Sequence, residues 1–148
     1  MFKNKNYIFL SLVIMGMLIV GGYVFNEKKL EIDNATVEYS RNNEEENLEN
    51  IKIPGYGTII IPANQKNVEI TLSNPQGNKC YFKFDLILND KTIYTSDLVK
   101  EGQAIEKIHL SEGIKKGNYD LVIKVTPYSL DKNSTYIGAN VKAKMEVV

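Results

Sequence analysis

Ile114-Lys115-Lys116-Gly117-Asn118-Tyr119-Asp120-Leu121-Val122-Ile123-Lys124-Val125 is the stretch from which the fold is read. Tyr119, Leu121, Ile123 and Val125 alternate with Asp120, Val122 and Lys124. A period of two marks a strand with one buried face. The loop before it closes on Gly117-Asn118, residues that adopt turn conformations at little cost. Gly, one residue, then Tyr at the head of an alternating strand matches the tyrosine corner of immunoglobulin-like sandwiches. There the ring packs at a strand start and its hydroxyl bonds back to upstream backbone. Gly117 and Tyr119 are therefore assigned a structural role.

Working outward, the same rhythm recurs on both sides. Ile51 to Pro62 reads as an opening strand kinked at Pro54-Gly55. Val68, Ile70 and Leu72 alternate next, and Asn74-Pro75-Gln76-Gly77-Asn78 is a turn. Cys80, Phe82, Phe84, Leu86 and Leu88 form the longest apolar face, and Asn89-Asp90-Lys91 turns it into Thr92–Thr95. A strand around Ala104–Leu110 precedes the Tyr119 strand, which Pro127 is expected to end. Ser129–Ser134 is a polar loop, and Ala139, Val141, Ala143, Met145 and Val147 alternate to the close. About seven strands with regular turn signals predict an all-β, Ig-like antiparallel β-sandwich over residues 51–148.

The remainder divides in two. Tyr7 to Phe25 runs nineteen residues without a charge behind Lys3 and Lys5. A helix of that length reaches roughly 28 Å, close to the ~30 Å hydrocarbon core. Tyr7 and Tyr23 lie near its two ends, where amphipathic rings favour the headgroup level. No small-x-small cleavage site follows, so residues 1–25 read as an uncleaved signal-anchor, a single transmembrane helix. Lys3 and Lys5 favour a cytoplasmic amino terminus, and Lys28 and Lys29 oppose them. Glu27 and Glu31, which dilute the second pair, and a β-rich domain with a single cysteine tip the reading to an extracytoplasmic domain at the cell membrane. Residues 26–50 are rich in Asn and Glu and carry a net charge of −5. They read as a solvated tether, with an r.m.s. span of roughly 27 Å if flexible.

At IPGYG (53–57), IPANQK (61–66), NPQGNKCYF (74–82), IYTSDL (93–98), GNYD (117–120) and YSLD (128–131) the chain resembles a family of short, membrane-anchored envelope proteins of low-GC Gram-positive bacteria. The resemblance implies one transmembrane helix followed by an Ig-like domain, and it carries over no catalytic residues. Some members bear the name tRNA uracil-5-methyltransferase, which these residues do not support. Such an enzyme needs a nucleotide-cofactor fold, an activated cysteine and a basic RNA surface. Gly55-Tyr56-Gly57 lacks the third glycine of a cofactor loop and opens no helix.

Residues 51–148 carry a net charge of only +3, far from the basic stripe that nucleic acid requires. Cys80 is the only cysteine and is expected to be a buried small hydrophobe. His109, the only histidine, falls between Ile108 and Leu110 and is expected to face solvent. No metal site, cofactor or acid–base pair is expected; Asp85 or Asp97 with Glu106 would need the fold to unite them. Asp131-Lys132-Asn133-Ser134-Thr135 is expected to be a polar turn rather than a calcium loop. The candidate binding residues are tyrosines: Tyr56, Tyr81, Tyr94, Tyr128 and Tyr136. Exposed tyrosines suit protein contacts and sugar stacking alike. The sequence therefore points to a non-enzymatic interaction module of the envelope, with a carbohydrate-binding tyrosine platform as the alternative.

Overall fold

The computed structural model describes residues 29–38 and 50–148, and two-residue alternation there builds eight strands and no helix. They are β1 (Thr36–Glu38), β2 (Thr58–Ile61), β3 (Asn67–Asn74), β4 (Tyr81–Leu88), β5 (Lys91–Thr95), β6 (Gln103–His109), β7 (Gly117–Tyr128) and β8 (Ala139–Val147). A three-stranded sheet runs β1-β6-β3 and a five-stranded sheet runs β2-β8-β7-β4-β5. The expected anchor, residues 1–25, and residues 26–28 and 39–49 of the expected tether lie outside the described residues.

One apolar core draws on both sheets. Leu72 and Ile105 come from the smaller sheet, and Phe82, Phe84, Leu86, Leu121, Ile123 and Met145 from the larger. Alternation places these side chains inward and leaves Lys83, Asp85, Asp120 and Lys124 outside. Phe82 and Phe84 meet edge to face, centroids 5.9 Å apart, and both are wholly buried. Burial of each ring contributes about 3 kcal/mol.

The structure corrects the reading in four places. First, the sheets are not all antiparallel: β2 runs parallel to β8, with Ile59 opposite Met145 and Ile61 opposite Val147. Periodicity reports which face is buried and is blind to the direction of the neighbour.

Second, the opening strand begins at Thr58 rather than Ile51. Pro54 has no N–H to give a ladder, and residues 51–57 instead pack Ile51, Ile53 and Tyr56 as partly buried cover on the core.

Third, the described part of the 26–50 segment is structured. The Glu31 carbonyl accepts from the Leu98 N–H at 2.9 Å, and the Asp33 N–H donates to the Leu98 carbonyl at 2.8 Å. Thr36–Glu38 then pairs antiparallel with Gln103–Ile105.

Fourth, β7 continues through Pro127 to Tyr128. β8 stops pairing at Ala139 opposite Val125, and the Pro127 carbonyl accepts instead from the Tyr136 N–H at 3.0 Å. The missing N–H of Pro127 points to that side, so the ladder to β4 loses nothing.

The strand ends define two opposite ends of the body. At the first, which we call the loop end, lie the β3–β4 turn, the start of β4, the end of β7 and residues 129–138. At the second, the hairpin end, lie Asn89-Asp90, residues 62–66 and residues 110–116.

Candidate functional site

At the loop end, Tyr81 and Tyr128 are direct register partners across β4 and β7. Both are half-buried, because each stands on the outer face of its strand where the sheet runs out. The chain then leaves β7 and returns to β8 through residues 129–138. Buried Ser129 organises this loop: its N–H donates to the Ser134 carbonyl at 2.9 Å, and its carbonyl accepts from the Lys132 N–H at 2.8 Å. The Ser129 hydroxyl donates to Asp131 Oδ1 and accepts from the Ser134 N–H. Asp131 Oδ1 also accepts from the Asn133 N–H at 3.0 Å. These bonds, the Ser129 hydroxyl first, hold the Asp131 carboxyl below the ordinary carboxylate range. The segment is a tightly bonded polar turn, with Lys132 at φ 63°.

That turn presents apolar side chains to solvent. Leu130 is 59% exposed, Tyr136 48% and Ile137 94%. The Lys132 ammonium stands over the Tyr81 ring, 5.9 Å from its centroid, a cation–π contact. Gly138 allows the return. A Cβ there would fall 2.0 Å from the Val125 carbonyl oxygen and 3.1 Å from Pro127 Cδ. Only glycine lets the backbone lie this close to β7.

The five candidate tyrosines separate accordingly. Tyr81, Tyr128 and Tyr136 share the loop end. Tyr56 packs against the core near Gly57 and Thr58. Tyr94 lies half-buried on β5, where burial first, then Asp33 and Asp97, push its hydroxyl from 10.0 up to about 12. Residue reading missed Leu130, Lys132, Ile137 and Gly138. The available signal was two large apolar residues, Leu130 and Ile137, in a run otherwise polar.

At the other residues singled out, Gly117 has φ 156° and lies under the Tyr119 ring, which a Cβ would meet at 3.4 Å. The Tyr119 hydroxyl donates to the Lys115 carbonyl at 2.8 Å. His109 is exposed, its Nδ1 2.7 Å from Asn67 Oδ1. Cys80 is 1% exposed, and burial first, then Glu101, push its thiol from 9.0 up to about 11. That is the reverse of the depression a nucleophilic thiolate needs. Asp85 accepts from Thr95 Oγ1 on the five-stranded sheet, whereas Glu106 belongs to the other sheet, so the fold does not unite them. No group of three or more His, Cys, Asp or Glu placed to hold a metal occurs among the described residues.

Two buried asparagines staple the loop end. Asn74 Nδ2 donates to the Cys80 and Val99 carbonyls at 2.9 and 3.0 Å. Asn78 exchanges two 2.8 Å bonds with the Lys52 backbone and donates to Asn74 Oδ1 at 2.9 Å. The turn read as Asn74–Asn78 is thus a buried polar network tying three segments, and full satisfaction makes such a network rigid.

Comparison with protein-family models, with curated proteins and with solved structures finds no match to this chain.

Proposed function

We propose that the chain is a non-enzymatic interaction module of the cell envelope. In this reading an Ig-like β-sandwich is held outside the membrane by one N-terminal span and meets a protein or wall-polymer partner through its loop end. The Ig-like form is supported by β7 lying between β8 and β4, with Tyr119 bonding back to Lys115 at its start. One feature departs from that form: β1 takes the outer place beside β6 and leaves β3 as a sheet edge.

The observation that carries the functional reading is Ile137, 94% exposed on a hydrogen-bonded loop that also exposes Leu130 and Tyr136. A single exposed apolar residue needs no explanation, but three on one bonded loop suit an interface. A pre-formed loop also loses little entropy on binding. The test is a photo-crosslinking residue at Ile137 in intact cells, with one at exposed Thr71 on β3 as control. The expected result is an adduct specific to position 137: a protein of defined mass, or a polymer smear collapsed by a wall hydrolase. Equal yields at both positions would contradict the reading.

The Tyr81–Tyr128 register pair favours a second reading, a carbohydrate platform. It ranks lower because both rings are half-buried and the Lys132 ammonium already stands over that of Tyr81. Glycan binding lost on Tyr128→Ala but kept on Ile137→Ser would promote it over the first.

A further inference from the structure

The hairpin end is a second, separate surface. The Leu110 N–H donates to the Lys66 carbonyl and the Asn64 N–H to the Ile114 carbonyl, both at 2.8 Å. The Ser111 N–H donates to the Ile93 carbonyl at 2.9 Å. Residues 62–66, 110–116 and the foot of β5 therefore form one face. Lys66, Lys115 and Lys116 stand exposed on it, while Lys91 is matched by Glu112 at 2.8 Å. Exposed Asp90 lies at the same end, and exposed Pro62 and Ile60, the latter 60% exposed, border it next to Glu69, Lys107 and His109. Lysines around exposed apolar side chains suit the boundary of an anionic bilayer.

The path of the chain points the same way. Ile32 bridges Leu98 in parallel, so residues 31–33 run as residues 97–99 do, away from the hairpin end. The chain arrives at Glu31 from the hairpin side. From Lys91 at that end to Asp97 the rise is about 20 Å at ~3.4 Å per residue. From Phe25, where the uncharged run stops, to Glu31 a fully stretched chain spans at most about 21 Å. With residues 1–25 as the anchor, that reach matches the rise, so the bilayer surface lies no farther from Glu31 than the hairpin end does.

We infer that the hairpin end docks on the anionic bilayer that anchors the chain. Lys66, Lys115 and Lys116 meet the headgroups, and Ile60 and Pro62 enter the interface. The loop end is thereby aimed away from the lipid. This inference rests on the anchor reading, and its test keeps the two apart. The full chain is placed in nanodiscs of anionic or zwitterionic lipid that carry a headgroup quencher. A fluorophore is attached at Ser111→Cys or at Ile137→Cys, buried Cys80 staying unlabelled. In anionic discs the label at 111 is expected to be quenched several-fold more than that at 137. The excess falls in zwitterionic discs and in the K66E/K115E/K116E variant, by about fivefold in docked population per lysine. Equal quenching at the two positions, or stronger quenching at 137, in discs that hold the chain overturns the docking alone. A chain that does not enter discs overturns the anchor reading, and the docking with it.

Discussion

Gly138 shows how a single residue can be fixed by a neighbour distant in sequence. Its absent Cβ is demanded by the Val125 carbonyl, 2.0 Å from where that atom would stand. Gly138→Ala is expected to cost about 3 kcal/mol, the upper range for overpacking, because the obstacle is backbone rather than a side chain free to turn. Urea unfolding measures this, and a change below about 0.5 kcal/mol would show that the loop return is not as described. Tyr119→Phe removes only the hydroxyl bond to Lys115, and the expected loss is about 1 kcal/mol. The two residues differ in legibility for a physical reason. Gly117 and Tyr119 act on each other two positions apart, so their spacing announces them. The constraint on Gly138 exists only once β8 has folded back along β7.

Titration belongs to the same scale. Cys80 and Tyr94 ionise in the unfolded chain at about 9.0 and 10.0, and in the fold at about 11 and about 12. Both folded values are raised, so the native state binds more protons than the unfolded state between the two values of each group. Stability is therefore fully present below pH 9 and falls from there towards pH 12. The carboxyls of Glu112, Asp120 and Asp131 are lowered, chiefly by bonds from Lys91, Lys144 and Ser129. Their contribution is present above the ordinary carboxylate value and is lost as pH falls. They lie in water, so that acid limb is shallow. Denaturant midpoints across pH should show the alkaline limb to be the steeper. A tyrosine absorbance titration complete by pH 10.5 would contradict the account of Tyr94.

At the scale of elements, β1 and the Ile32 bridge carry the lesson. Ile32 and Val37 are single apolar residues in an Asn- and Glu-rich run, and a three-residue strand is too short for any period to register. Average composition hid two local pairings. Asp33 completes the join: its carboxylate accepts from the Ala35 N–H at 2.9 Å and from the Asp97 N–H at 3.2 Å. Hydrogen exchange tests this directly. The amides of Asp33 and Leu98 are expected to be protected by tenfold or more (~1.4 kcal/mol of opening free energy) relative to an unstructured peptide. Exchange at the peptide rate would return residues 29–38 to a solvated tether. The long strands β4, β7 and β8 were legible because each repeats its alternation over eight or more residues. The parallel course of β2 was not, since no pattern within one strand encodes the direction of its neighbour.

At the scale of the whole molecule, exposed apolar residues gather at opposite ends with different company. Leu130, Tyr136 and Ile137 stand on a hydrogen-bonded loop at one end, and Ile60 and Pro62 stand toward the end that exposes Lys66, Lys115 and Lys116. On the proposed reading the first end seeks a partner and the second rests on lipid. The sequence indicated which tyrosines to weigh, but only the register of β4 against β7 gathers Tyr81 and Tyr128. The foundation of the proposal is a domain outside the membrane with residues 129–138 facing away from it. A membrane-impermeant maleimide applied to intact protoplasts carrying Ile137→Cys measures this, since Cys80 is buried and protonated at neutral pH. The account expects position 137 to be labelled without lysis and the parent chain to stay unlabelled. Labelling of position 137 only after lysis would contradict it.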